Sequence, residues 1–419
     1  MSDAAQPRPQ AVGRLALLLG GLAMFGPFSI DTIFPAFPQM GASLGADKLA
    51  MQQTISVYLI AYALMSLVHG PVSDAVGRRK VILVGLFVFA LASVGCAMSR
   101  DMTTMLAFRA LQGLSAGVGL IVGRAVIRDL FDGDDAQRLM SQVMMIFGIA
   151  PAIAPIIGGW ILGWAQWPAI YWFLVAFSLA LLAATFAWLP ETYPPAARAS
   201  LSPRLLLRNY LAIFRNPRFQ RLAACGAFNF AGLFLYIASA PAFVLDLLRL
   251  NERQFGWFFV PMIGGMMLGS FASGRAAGRL GAVRQVGIGF ACCGAAAVAN
   301  IAYNALAEAP SLPWAVLPMT LTAFGVALVF PILTLAILDM YPRQRGAASS
   351  LQAFTSLVVN AVVAGVLSPL LSHDGLLLAV AGACFTLVAW AFWSWEKART
   401  RYLPQGPLRP GLPGPTEHV

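Results

Sequence analysis

Charged side chains are scarce in this sequence: Asp, Glu, Lys and Arg together make up 11% of its 419 residues, and 17 residues are acids. A water-soluble fold of this length needs far more polar surface than that. Histidine is limited to His69, His373 and His418. With no His/Asp/Glu cluster at metal-ligand spacing and no workable Ser/His/Asp set, the chain does not read as an enzyme and no metal is expected. The five cysteines, Cys96, Cys225, Cys292, Cys293 and Cys384, lie in apolar runs without a CxxC spacing. They read as small packing residues, neither disulfides nor metal ligands. The phosphate-cradling pattern GxxxxGK followed by Ser or Thr does not occur, so nucleotide hydrolysis has no seat and no cofactor is expected. No signalling domain interrupts the chain, which sets aside a receptor.

What fills the chain is apolar: hydrophobic residues make up 59% of it. Twelve runs are long enough to cross a ~30 Å hydrocarbon core at ~1.5 Å per residue. They cover 13–39, 50–70, 81–99, 103–125, 139–162 and 168–190, then 222–246, 254–275, 285–306, 312–338, 347–371 and 376–396. The fold class expected is therefore an all-α membrane protein with twelve transmembrane helices. The first run is longer than a secretory signal core and no small-residue cleavage site follows it, so it is expected to stay in the membrane. With the N-terminus in the cytoplasm and sides alternating, 23 of the 28 basic residues fall inside, 4 outside (Lys48, Arg100, Arg249, Arg253) and one, Arg109, within a span. Both termini are thus expected in the cytoplasm. The net charge of +11 reads as a product of insertion and of attraction to anionic headgroups. The lipid bilayer is the expected partner and nucleic acid is not.

The chain divides in two. Residues 1–12 form a cytoplasmic tail, 13–190 a first six-helix bundle, 191–221 a cytoplasmic linker, 222–396 a second bundle, and 397–419 a Pro/Gly-rich tail expected to be disordered. The linker carries six arginines against the single acid Glu191, and LLLRNYLAIF (205–214) suggests a short interfacial helix. The halves echo one another. Pro35-Ala36-Phe37 recurs as Pro241-Ala242-Phe243, the Gly70 to Gly77 spacing as Gly274 to Gly281, and Asp129 with Gln142 as Asp339 with Gln352. The near-constant offset of 204 to 210 residues favours duplicated halves, with a site between them near the midplane.

The loop after the second run reads HGPVSDAVGRRKVIL, residues 69–83. Gly70 lets two helices approach, Gly77 permits a tight turn, Asp74 offers an acceptor, and Arg78, Arg79 and Lys80 put charge at the cytoplasmic surface. Spacing, topology and side of the membrane all resemble the signature loop of the major facilitator superfamily, GxxxDxxGRR/K. The resemblance implies a conformational switch made by Gly70, Asp74, Gly77, Arg78 and Arg79. In it Asp74 would contact a neighbouring helix end and hold the halves closed toward the cytoplasm in the outward-facing state. The second-half counterpart, GRAAGRLGAVR from Gly274, lacks the Asp.

Two opposite charges stand inside apolar runs. Arg109 is about six residues from the outer edge of the fourth run, with Gln112 one turn on and on the same face. A guanidinium there costs ~2.5–3.5 kcal/mol to insert, which makes it a functional candidate. RxxQG also resembles a second superfamily motif, associated with proton coupling. Arg124, Arg128 and Asp129 read as interface residues. Asp31, in FGPFSIDTIFPAFP (25–38), has Pro27 and Pro35 one turn away on either side. At ~1.5 Å rise its depth differs from that of Arg109 by only ~3–5 Å, so the two are expected to meet and to act as the proton-coupling pair.

The fifth run holds GIAPAIAPIIGGW (148–160), where Pro151, Pro155, Gly158 and Gly159 predict a kinked helix with a smooth, close-packing face. It resembles the superfamily's antiporter motif, with Ala-Pro for the usual Gly-Pro, as in the bicyclomycin-resistance (Bcr/CflA) branch of drug:proton antiporters. DTIFPAFP, SVYLIAYAL (56–64), GRAVIRDLF (123–131) and ILDMYPRQRGAASSL (337–351) suggest the same branch, and the likeness runs from residue 13 to about 396. A central cavity is expected to bind substrate through Asp31, Phe34, Tyr58, Gln112, Met144, Asn229, Phe230, Phe234, Tyr236, Phe354 and Asn360. The resemblance implies a monomeric, proton-coupled antiporter in the bacterial inner membrane. It would export small, mostly hydrophobic drugs by alternating access on the proton motive force. A dedicated amino acid or dipeptide exporter is the alternative, and an uptake symporter is disfavoured by the Pro/Gly-rich fifth run.

Overall fold

The computed structural model describes residues 9–131, 133–193, 202–276, 279–307, 309–341 and 344–400. Among them every regular element is a helix. In hydrocarbon each N–H and C=O must find its partner within the protein, and a helix provides one segment by segment. Numbered in chain order, the first four spans are α1 (Gly13–Leu44), α2 (Lys48–Val76), α3 (Arg78–Met98) and α4 (Met102–Leu130). There follow α5 (Gly133–Leu162), α6 (Pro168–Trp188), α7 (Pro217–Ala238) and α8 (Gly256–Ala276). The last four are α9 (Ala282–Leu306), α10 (Leu317–Met340), α11 (Gly346–Leu371) and α12 (Gly375–Arg399). Eleven of them, among the described residues, are long and apolar enough to cross a membrane; in α5 the apolar stretch is the shorter Ile146–Leu162.

Several helices outrun the expected runs, α2 and α5 without a break, whereas α1 and α4 are interrupted. In α1 the helix ends at Asp31, makes a 3-10 turn at Phe34–Ala36 and resumes over Phe37–Leu44. Pro35 has no N–H, so the carbonyl of Asp31 loses its usual donor four residues on. The Thr32 hydroxyl donates back to Phe28 O at 2.5 Å and steadies the turn. Pro27, one turn earlier, sits within unbroken helix. In α4 the break falls at Gly117, between Met102–Ala116 and Val118–Leu130. The helix of α5 is continuous through Pro151 and Pro155.

The spans gather into two six-helix bundles with the same internal pairing. In the first, α1 packs on α5, α2 and α3 on α4, and α3 on α6; in the second, α7 packs on α11, α8 and α9 on α10, and α9 on α12. Between α6 and α7 a linker helix covers Pro203–Phe214, where the interfacial helix was expected. Its Tyr210 hydroxyl donates to Leu67 O on α2 at 2.9 Å, and Ile213 is buried with Phe219 and Leu222 in the core of the second bundle.

Contacts between the bundles concentrate at the end away from the Arg78–Arg79 loop. Gln52 Nε2 donates to Ala238 O at 3.0 Å, Gln53 Nε2 to Gly365 O at 2.8 Å, and Ser56 Oγ to Ala361 O at 2.9 Å. Phe34 of α1 stacks on Phe259 of α8 with centroids 6.3 Å apart, and exposed Lys48 reaches Asp246 at 2.5 Å. By contrast α4 and α10 find their main neighbours inside their own bundles. The molecule is thus closed at one end.

Candidate functional site

Arg109 is fully buried on α4, and its surroundings are dipoles. Nε donates to Thr54 O on α2 at 3.1 Å. Nη1 donates to Ser29 O and Oγ on α1, at 3.1 and 3.2 Å, and to Gln112 Oε1 at 2.8 Å. The guanidinium lies over the Tyr58 ring, 4.5 Å from its centroid, while Nη2 has no partner. Gln112 passes the network on, donating to Ser93 Oγ at 2.8 Å and accepting from Cys96 Sγ at 3.7 Å. Gly113 makes the arrangement possible: a Cβ there would stand 2.3 Å from Tyr58 O, so any larger residue would push α2 off α4. Three helices are therefore pinned by one cation.

Asp31 does not join this network. It is buried, and among the described residues no hydrogen bond or ion pair reaches its carboxyl. The expected contact with Arg109 is absent for a reason of azimuth. Ser29 is the residue of α1 that faces Arg109, through its carbonyl and hydroxyl, and two residues further on a helix turns ~200°, so Asp31 falls at a different azimuth. Similar depth was not enough. Immediately past Asp31, Gly158 of α5 lies so close that a Cβ would sit 2.0 Å from Thr32 O. Asp31 thus stands at the break in α1, where the backbone of Thr32 packs against the Pro/Gly-rich α5.

The loop motif also differs from expectation in its partner. Asp74, in the last turn of α2, pairs with Arg78, the first residue of α3, and it is Arg78 that reaches the end of α4, with Nε 3.0 Å from Asp129 Oδ2. The Arg78 backbone N–H donates to Glu191 Oε1 at 2.8 Å, Nη1 to Ser73 Oγ at 2.5 Å, and the guanidinium lies 4.8 Å over the Tyr193 ring. Thr192 adds a hydroxyl donor to Asp129 at 3.0 Å. Gly77 has φ of 114°, a left-handed conformation that favours glycine, and so turns α2 into α3. Arg79 lies over Phe186 and donates to its carbonyl at 2.6 Å. Asp129 and Glu191 were missed as site residues; an acid ending a helix beside a basic loop was the available signal.

The proposed cavity residues do not come together as one lining. Tyr58 and Gln112 are engaged with Arg109 inside the first bundle, Tyr58 also donating to Gly26 O at 3.1 Å. Phe34 belongs to the contact between bundles. Asn229 is buried and accepts from Cys293 Sγ at 3.9 Å, and Tyr236 accepts from Asn300 Nδ2 at 2.6 Å, both inside the second bundle. Phe230 pairs with buried Phe234 at 6.1 Å, half-buried Phe354 packs with the linker-side core, and buried Asn360 leaves Oδ1 without a partner. The Met144 side chain lies outside the described residues. Of the antiporter motif, Gly158 meets α1 as above, and a Cβ on Gly159 would stand 2.1 Å from Glu252 O, in the segment between α7 and α8 of the other bundle.

Two bundles of like pairing, a buried cation and acid, and an ion-paired Arg-rich loop mark a membrane transporter rather than an enzyme. The family model of the Major Facilitator Superfamily matches residues 17–364, and the chain belongs to that family. The Haemophilus influenzae bicyclomycin resistance protein homolog is 27% identical over 385 residues, covering 90% of this chain and 94% of its own. The Escherichia coli multidrug resistance protein D is 28% identical, over 86% and 90% of the two chains. An uncharacterized transporter of Bacillus subtilis, YdgK, is 35% identical over 63% of this chain and 66% of its own. Two solved structures share the fold: human organic anion transporter MFSD10, at TM-score 0.68 and 21% identity over 93% and 99% of the chains, and an inward-facing bacterial homolog of the lysosomal transporter Spinster, at TM-score 0.70 and 17% identity over 95% and 100%.

Proposed function

We propose that the chain is a proton-coupled antiporter that exports small, mostly hydrophobic drugs by alternating access. The observation that carries this reading is Asp31: a buried carboxyl with no donor among the described residues, at the point where α1 is broken. Such a group is satisfied in either of two ways, by binding a proton or by accepting a hydrogen bond from a polar group of the substrate, and the two compete. Competition of that kind is the minimal coupling for antiport. Arg109 supplies the fixed frame, tying α1, α2 and α4 so that Asp31 moves with the bundle and not independently of it. The relatives named for bicyclomycin and multidrug resistance support drug-like substrates.

The basic Arg78–Arg79 loop supports a cytoplasmic location for that end by the positive-inside tendency, which would turn the Gln52–Ser56 contacts outward. A proton moving down ~150 mV supplies about 3.5 kcal/mol, enough for a few-hundred-fold gradient of a neutral compound. The test compares the native chain with Asp31→Asn in a pump-deficient host across a drug panel, alongside proton-driven drug accumulation in inverted vesicles. The native chain is expected to protect and to accumulate drug on acidification of the lumen, and Asp31→Asn to lose both while reaching the membrane in equal amount. Equal protection by the two sinks the role of Asp31.

A further inference from the structure

Five described arginines line the linker and the start of α7, and they fall into two sets. Arg218 and Arg221 are held by buried Glu396, at 2.8 and 2.9 Å. Arg204 and Arg208 are on the linker helix and Arg215 caps its C-terminal end, and no carboxylate among the described residues pairs with them. With Leu207, Leu211 and Ala212 they line an open groove of about 340 Å³. Arg204, Arg208, Leu211 and Arg215 follow one another at helical spacing along a single stripe. The rest of the helix is already committed, through Tyr210 to α2 and through Ile213 to the second bundle's core. Leu207 is left 61% exposed and Leu211 42%.

We propose that this groove binds the headgroup of an anionic phospholipid, with the guanidiniums on the phosphate and the leucines under the first carbons of the acyl chains. Guanidinium matches phosphate with two parallel N–H donors. The helix lies against α2 and runs into the start of α7, and its stripe joins guanidiniums to exposed leucines, so a lipid's charged and apolar parts would each meet a like surface. A free anion would use the arginines and leave the leucines wet; a lipid uses both.

The full chain, purified in detergent, is titrated with phosphatidylglycerol, with phosphatidylcholine and with inorganic phosphate, and retained lipid is read by native mass spectrometry. Phosphatidylglycerol is expected to be retained over phosphatidylcholine, with affinity falling about fivefold per arginine removed across Arg204→Gln, Arg208→Gln and Arg215→Gln. Leu207→Asn with Leu211→Asn is expected to weaken the lipid and leave the weak binding of phosphate unchanged. Should the glutamine triple variant fail to fold, Arg204→Lys, Arg208→Lys, Arg215→Lys replaces it, with a partial loss expected. Retention of phosphatidylglycerol by the variants at the native level overturns the proposal, as does displacement of the lipid by millimolar phosphate. Binding is read without transport, so failure here leaves the antiport reading untouched.

Discussion

Arg109 is stabilised by carbonyls, a hydroxyl, an amide and an aromatic face, and that decides how substitutions at it behave. A lysine keeps the charge but has one nitrogen where the guanidinium has three, so Arg109→Lys forfeits the Thr54 bond and the flat contact with Tyr58. Arg109→Lys is expected to destabilise the protein by about 2–4 kcal/mol and to abolish export, checked by thermal unfolding in detergent and by drug protection. Native-like export from the lysine variant would show that the frame is not needed. Sequence spacing was sufficient to pair Arg109 with Gln112, because one helix fixes both depth and direction three residues apart. It was not sufficient for Asp31, because depth along one helix says nothing about where a side chain on another helix points. Outside the membrane, Asp101 caps α4: the Thr104 backbone N–H and hydroxyl both donate to it and hold its carboxyl below the usual range. A lowered folded value means the cap is fully formed above the unfolded pKa of ~3.9 and is lost as pH falls through the folded value. The difference in melting temperature between the native chain and Asp101→Asn is therefore expected to be present at neutral pH and to close in strong acid.

The two glycines of α5 were legible as a smooth face, but not what each one touches, since neighbouring helical residues point ~100° apart. Gly158 lies against Thr32 O inside its own bundle, and Gly159 against Glu252 O across the contact between bundles. Both positions lack room for a methyl group, so each alanine variant forces a backbone apart, at a cost of ~1–3 kcal/mol. The consequences separate. Gly159→Ala strains only the closed end and is expected to shift the population toward the state open there, seen as faster thiol labelling of Ser56→Cys. Gly158→Ala strains α1 beside Asp31 in either state; export is expected to fall while labelling stays at the native rate. Identical labelling of the two variants would refute the division of labour. The breaks in α1 and α4 were half legible: Pro35 announced the first, whereas Gly117 looks like any other small residue in a run containing Gly113, Gly119 and Gly123.

Helix number, duplicated halves and the basic loop could be read from the chain because apolar length, repeated offsets and arginine placement are local or periodic properties. The contact between the halves could not. On α2, Gln53 and Ser56 meet Gly365 and Ala361 across 312 and 305 residues of chain, and Gln52 meets Ala238 across 186, separations that no local or periodic pattern announces. If the bundles rock against each other during turnover, these bonds have to break once per cycle. Covalent closure there should then stop export without disturbing either bundle. Ser56 and Gly365 are the best pair for it: a Cβ on Gly365 would lie 2.7 Å from Ser56 Cβ, a little inside the ~3.8 Å of a disulfide, so the helices need to part by only about 1 Å. With exposed Cys384 and half-buried Cys292 replaced by serine to silence side reactions, Ser56→Cys with Gly365→Cys is expected to export drug when reduced, to stop when oxidised, and to recover with dithiothreitol. Either single cysteine variant is expected to ignore the oxidant. Undiminished export by fully oxidised protein, with the bond confirmed by mass spectrometry, would mean that substrate leaves without this end of the molecule opening, and a rocking mechanism could not be sustained.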